Sequence, residues 1–116
     1  MISNYFGMIS LIDHNVGRML DVLQDLADAD DTIVIYTTDH GEFLGDHGLF
    51  LKGPMPYEGV LRVGMIARGP GIPAGKIIED PVSTLDLPAT FYDYADLAKP
   101  DGMQSESLRP LIEGVG

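Results

Sequence analysis

The chain predicts an α/β layer fold, and an incomplete one. Three observations carry that expectation. An apolar periodicity of three and four residues runs from residue 4 to about 28, the pattern of an amphipathic helix. Thr32 to Thr38 is rich in β-branched residues and apolar on both faces, as a central strand of a parallel sheet would be. A second such run, Leu61 to Ala67, and a further helical pattern follow, so strands alternate with helices. Two or three strands and two main helices cannot cover both faces of a doubly buried sheet, and this makes the scaffold partial.

The first helix takes its face from Phe6, Ile9, Ile12, Val16, Met19, Leu20, Leu23 and Leu26. Asp13, Arg18, Asp21 and Asp25 fall mainly on the other side, and Ser3 or Asn4 can cap the start. Gly17 costs about 1 kcal/mol against alanine inside a helix, so a close packing contact is expected there. Asp28 to Asp31 is a polar break before the first strand. Beyond the second strand, Gly69 to Gly75 is rich in turn residues, and Ile77 to Val82 reads as a short extended piece. Thr84 or Asp86 can cap a helix reaching about Asp96, with Leu87, Phe91, Tyr94 and Leu97 on one face. Lys99 to Gly102 breaks the chain, and Ser107 to Glu113 suits a last helical turn or two.

Length and charge narrow the partners. With 116 residues there is room for one domain and one modest core. Eighteen acidic and seven basic residues give a formal net charge of -11, which argues against nucleic acid and against an anionic membrane surface. No cysteine is present, so no disulfide framework forms and the redox compartment stays open. No apolar run reaches the roughly 20 residues that span a bilayer. Met1 to Asn4 does not begin a signal peptide, and localisation is left unknown.

Chemistry concentrates in residues 39 to 58. Asp39 and His40 leave the end of the first strand, where ligands of open α/β sheets sit. A carboxylate oxygen and a neutral imidazole nitrogen suit a borderline divalent cation, while a mostly carboxylate set would suit calcium. Two ligands do not complete a tight site. Gly41 is expected to let the backbone turn sharply after them. Lys52, thirteen positions after Asp39 across a glycine-rich loop, is the natural contact for a sulfate or phosphate oxygen. His47, in Asp46-His47-Gly48, is a weaker candidate for touching substrate. The plainer readings stand beside these: a surface turn for Asp39-His40, a solvated lysine for Lys52, a hydrogen-bonded loop histidine for His47. Glu42 and Glu58 read as bracing or helix-start groups, and His14 as an exposed or half-buried helical residue.

Taken together, Thr38-Asp39-His40-Gly41-Glu42, Leu44 to Gly48, Lys52-Gly53 and Tyr57-Glu58 resemble the C-terminal part of the sulfatase family, within the alkaline-phosphatase-like superfamily. The flanks resemble it too: Ile12-Asp13 to Arg18, Leu61 to Val63 with Arg68 to Gly71, and Val82 to Leu87 through Thr90. The Asp-His pair is similar to the choline-sulfatase, iduronate-sulfatase and phosphonate-monoester-hydrolase branches. The resemblance implies a partial three-layer alkaline-phosphatase-like fold, residues 1–116 forming a single segment from the C-terminal part of a catalytic domain. It implies hydrolysis of a sulfate, phosphate or phosphonate ester, a small anionic substrate. Asp39 and His40 would be ligands of Ca2+ or Mn2+, and Lys52 would contact the sulfate or phosphoryl oxygen.

The family's nucleophile is a formylglycine made from a Cys/Ser-x-Pro-x-Arg motif. Here there is no Cys, and Ser83, Ser105 and Ser107 sit in no such motif. No catalytic residue is therefore expected in this chain, and the chain alone is expected to be inactive. A second reading is a stand-alone, non-catalytic module that binds a cation or self-associates as a homodimer, since an incomplete sheet exposes an edge and apolar surface. A third keeps the superfamily but makes the reaction that of a two-metal phosphodiesterase or phosphomutase.

Overall fold

A computed structural model describes residues 2–114. Its contacts gather into two compact units, Met1–Pro70 and Gly71–Gly116.

The first unit begins with α1, Ile2–Gln24. The helix is already formed at Ile2, so Ser3 and Asn4 lie inside its first turn rather than capping it. It ends earlier than the apolar pattern does. Beyond Gln24 the chain tightens into i→i+3 bonds, Asp25 N to Val22 O and Leu26 N to Leu23 O, then a 3-10 turn at Ala29–Asp31. The Thr32 hydroxyl donates to Asp28 O at 2.7 Å, a local bond that competes with helix continuation. None of the residues of α1 is buried. Phe6 and Met19 are 61% and 70% exposed. A side chain at Gly17 would meet nothing within 4 Å, so the packing contact expected there is not found among the described residues.

The two strands are shorter than their apolar runs and pair differently from the expectation. β1 is Val34–Tyr36 and β2 is Ile66–Arg68. They pair antiparallel, with Val34 opposite Arg68, Ile35 opposite Ala67 and Tyr36 opposite Ile66. A central strand of a parallel sheet is therefore not what β1 forms among the described residues: it has one partner there, and that partner runs the other way. Nor is it covered on both faces, since Tyr36 and Ile66 are exposed. The second apolar run starts late because its first residue belongs to α2, Glu58–Leu61, a single helical turn. Gly69 closes the ribbon. Its φ is +150°, and an added Cβ would stand 2.8 Å from Ile33 Cα, so only glycine lets the two chains come this close. The core of this unit is small, with Phe43 and Val60 buried.

The second unit holds α3, Leu87–Tyr94, and α4, Arg109–Glu113. Asp86 stands at the N-cap position of α3 as expected but makes no side-chain cap bond; that bond comes earlier, where Ser83 Oγ accepts from Leu85 N at 3.1 Å and starts a 3-10 turn, Thr84–Asp86, that leads into α3. Ile77 to Val82 forms no strand. Ala89, Leu108 and Ile112 make the apolar core. Lys76 Nζ donates to Leu111 O and Ile112 O, placing a cation on the C-terminal carbonyls of α4. Arg109 binds α4 back to α3, with Nη1 donating to Asp93 O at 3.0 Å and Nε to Glu113 Oε1 at 3.0 Å.

Thr90 joins these parts. It is fully buried, its hydroxyl donating to Asp86 O at 2.7 Å and accepting from Leu108 N at 2.9 Å. Thr90→Val keeps the shape but leaves the Leu108 N–H without a partner. We expect it to destabilise this unit by about 1–3 kcal/mol, read as a lower denaturation midpoint in urea.

Candidate functional site

The site grows from the end of β1. Past Tyr36 the chain no longer pairs in the ribbon, and its side chains tie it down instead. Thr37 Oγ1 donates to Gly64 O at 3.0 Å. Thr38 Oγ1 lies 3.3 Å from Asp39 Oδ1 and 3.2 Å from His40 O. Asp39 Oδ1 also accepts from the His40 N–H at 3.0 Å. One carboxylate oxygen of Asp39 is thus committed to the local turn, and Oδ2 is free to face outward.

His40 is held from its other nitrogen. Nδ1 stands 2.8 Å from Gly41 O. A carbonyl oxygen only accepts, so Nδ1 carries a proton and donates. In the neutral ring Nε2 then presents a lone pair, and it lies 3.6 Å from Asp39 Oδ2. When the ring is charged, the same geometry is an ion pair. The nearby imidazole is the largest influence pulling the Asp39 carboxyl below its ordinary 3.8, helped by hydrogen bonds from the backbone and from Thr38, with slight desolvation acting the other way. Asp39 is far more exposed than His40, 84% against 36%.

Gly41 fixes this pair to the rest of the unit, though by a different device from the sharp turn expected of it. Its φ is not positive. What the position requires is space: an added Cβ would sit 2.0 Å from Gly59 O. Gly41 N donates to Val60 O at 2.8 Å. The segment after Asp39 and His40 therefore lies backbone to backbone against the start of α2.

The remaining candidates sit apart from that pair. His47 lies in a 3-10 turn, Asp46–Gly48, with φ +56°, and its ring stacks on Tyr57 at 4.0 Å and 19°. Tyr57 in turn meets the buried Phe43 edge-on at 6.0 Å. Lys52 is exposed, and no hydrogen bond or ion pair joins it to Asp39, His40 or His47 among the described residues. Glu42 Oε1 accepts from Leu44 N and braces the loop, and Glu58 opens α2, where it pairs loosely with Arg62. His14 is exposed on α1. Tyr57 and Gly59 were given no role by sequence alone. Their partners, His47 and Gly41, lie 10 and 18 positions away, and no periodic pattern links such distant residues.

Among the described residues no cluster of three or more His, Cys, Asp or Glu could hold a metal ion. Asp39 and His40 bring only two candidate donor atoms together, Oδ2 and Nε2 at 3.6 Å. Their spacing suits a shared ion: an oxygen and a nitrogen each about 2.3 Å from one cation, at a right angle, stand about 3.3 Å apart. The histidine also makes the outer hydrogen bond that metal-bound histidines make to fix their tautomer.

A model of the Sulfatase family matches residues 1–97, and the chain belongs to that family. It is 38% identical over 114 residues to an N-acetylglucosamine-6-O-sulfatase of Bacteroides thetaiotaomicron, covering 97% of this chain and 20% of the relative. It is 40% identical over 111 residues to the choline-sulfatase of Rhizobium meliloti, covering 96% of this chain and 20% of the relative. Among solved structures, the phosphonate monoester hydrolase of Agrobacterium radiobacter aligns with a TM-score of 0.87 at 35% identity, over 95% of this chain and 22% of that one. The chain thus spans about a fifth of the length of these relatives. Its fold is a part of the alkaline-phosphatase-like α/β fold.

Gly41→Ala tests the backbone contact. The new methyl must displace Gly59 O, a backbone atom that cannot swing aside. We expect a loss of about 3 kcal/mol in stability and altered amide signals at His40 and Val60 in NMR spectra. An unchanged spectrum and midpoint would mean that the contact does not set the site.

Proposed function

We propose that these residues form one wall of the active site of a sulfatase-type hydrolase, acting on a sulfate, phosphate or phosphonate ester beside a divalent cation. The observation that carries this reading is the Nδ1–H to Gly41 O bond. It turns the Nε2 lone pair toward Asp39 Oδ2, so that two donor atoms converge where a cation would be shared. Asp39 and His40 would hold Ca2+ or Mn2+. A bound cation would stabilise negative charge developing on the ester oxygens.

The chain's own residues do the rest. Lys52, carrying a flexible point charge, draws the anion and balances its oxygens. His47 touches the substrate more peripherally. Asp39 Oδ1 and Thr38 keep the His40 backbone in place while Oδ2 stays available. A formylglycine does not fit any residue here: the chain has no Cys, and none of its Ser residues stands in a Ser-x-Pro-x-Arg sequence. The nucleophile of the reaction would then lie outside these 116 residues.

Two ligands cannot supply the roughly 5.5 kcal/mol that a 0.1 mM dissociation constant requires. Calorimetric titration of the chain with Ca2+ and with Mn2+ should give binding weaker than about 0.1 mM, abolished in Asp39→Ala. The same chain should not turn over 4-nitrophenyl sulfate. Turnover that needs the metal and disappears in Asp39→Ala would overturn the placement of the nucleophile.

One observation favours a second reading, a module that associates with its own copies and does not catalyse. Much of the apolar stripe of α1 is uncovered among the described residues: Phe6, Ile9, Ile12 and Met19 are exposed, while Val16, Leu20 and Leu23 are half-buried. Sedimentation velocity distinguishes the two. A homodimer lost in Ile9→Glu and retaining tight cation binding would favour the module. A monomer would leave the hydrolase wall as the better account.

A further inference from the structure

The segment between α3 and α4 holds the chain's one Asp-Gly sequence, Asp101-Gly102. It forms the tip of a turn. Met103 N donates to Pro100 O at 3.3 Å, and Gly102 at the third position has φ +80°. Asp101 before it has no positive φ, so the turn follows the type II pattern, which asks for glycine there. Both residues are exposed. A Cβ at Gly102 would meet nothing within 4 Å, so no group packs over that side of the glycine. Exposed turn tips of this kind are where a chain is most open to covalent change.

The polar groups nearby are engaged elsewhere. Lys99 Nζ donates to Ser105 O at 2.8 Å and to Glu106 Oε1 at 3.2 Å, and Glu106 N donates to Asp86 Oδ1 at 3.1 Å. Among the described residues this leaves the Asp101 carboxyl without a hydrogen bond or ion pair, and the Gly102 N–H without an acceptor. Other aspartates are held. Asp39 Oδ1 accepts from the His40 N–H, Asp86 Oδ1 from the Glu106 N–H, and Asp93 from Ser107 and Arg109. Each of these is followed by a residue whose side chain crowds the next amide.

We infer that Asp101-Gly102 is a modification site, at which the folded chain rearranges its own backbone to isoaspartate. The Gly102 nitrogen attacks Cγ of the protonated Asp101 carboxyl. An N–Cγ bond forms, the amide proton and the carboxyl hydroxyl leave as one water, and a succinimide ring closes. Water then adds to the former main-chain carbonyl of Asp101. The bond from that carbonyl to nitrogen breaks, the nitrogen regains its proton, and a carboxylate is left behind. The chain now runs through Cγ and is longer by one methylene. Water is the sole co-reactant, no oxidant or reductant enters, and the net charge is unchanged. Glycine serves the reaction twice: it permits the turn, and it brings no side chain to shield the attacking nitrogen. The inference is independent of the proposed hydrolase site.

The test incubates the full chain for weeks in neutral buffer at body temperature and compares it with fresh chain. Digestion uses a protease that cuts before aspartate but not before isoaspartate. The cut before residue 101 should be lost progressively, while those before Asp86 and Asp93 persist. Electron-transfer fragmentation should place isoaspartate at residue 101 with the mass of the chain unchanged. An isoaspartyl methyltransferase supplied with S-adenosylmethionine should esterify the new carboxylate. Asp101→Glu, which would need a larger imide ring, should abolish that methyl uptake. The Leu108 amide signal, set by its bond to Thr90, should keep its native position throughout, showing that the folded chain reacts. A cut before residue 101 that survives incubation overturns the inference. So does methyl uptake spread over the other aspartates, uptake undiminished in Asp101→Glu, or a reaction seen in urea and not in the folded chain.

Discussion

The contact on which the rest of the first unit depends is between two backbones. Gly41 and Gly59 approach so closely that a single methyl on Gly41 would collide with the Gly59 carbonyl, and the neighbouring Gly41 N–H closes onto Val60 O. The Asp39-His40 pair and the His47–Tyr57 stack stand on its two sides. On one side of it His40 takes its tautomer from the Gly41 carbonyl. On the other, Tyr57 begins the turn that becomes α2 and carries the histidine of the loop on its ring. Side-chain bonds near Asp39 refine the arrangement, but they are short-range and exposed, and exposed polar contacts contribute little to stability by themselves. Glycine is required at the seam for its volume rather than for its dihedral freedom.

The two units solve the problem of a small core in different ways. The first uses a two-stranded ribbon, the seam and a pair of buried side chains, Phe43 and Val60. The second concentrates its order on one hydroxyl. Thr90 satisfies a carbonyl in the turn before α3 and an amide at the start of α4, so removal of either partner leaves a buried group unpaired. Around it, Lys76 and Arg109 bring positive charge to carbonyls and carboxylates within an acidic chain. The acidity that argues against nucleic acid is thus locally balanced where the helices end.

The sequence made some of this legible and hid the rest for physical reasons. Helix α1 was readable because its apolar period is long, yet its C-terminus was not, since Asp28 and Thr32 trade helical bonds for local ones. The two strands were readable as apolar runs. Their direction was not, because an apolar run records burial and not the neighbour that causes it, and here the runs pair with each other. The opening of the second run was lost to a helical turn seeded by Tyr57 and Glu58. Within the site, Asp39 and His40 could be paired from adjacency alone. The Gly41–Gly59 approach and the His47–Tyr57 stack could not, because each joins residues 10 or more positions apart through contacts that leave no periodic trace.

Helix α1 carries a consequence of its own. Twenty-three residues are held by bonds between neighbours four apart, and no side chain of the helix is buried. Its order is therefore governed by the helix–coil equilibrium more than by the core, with fraying at both ends and opening that need not wait for the rest of the unit to unfold. In hydrogen-exchange terms it should behave as a separate foldon of low protection. The ribbon and the glycine seam, whose bonds join distant parts of the chain, would open only with the unit as a whole.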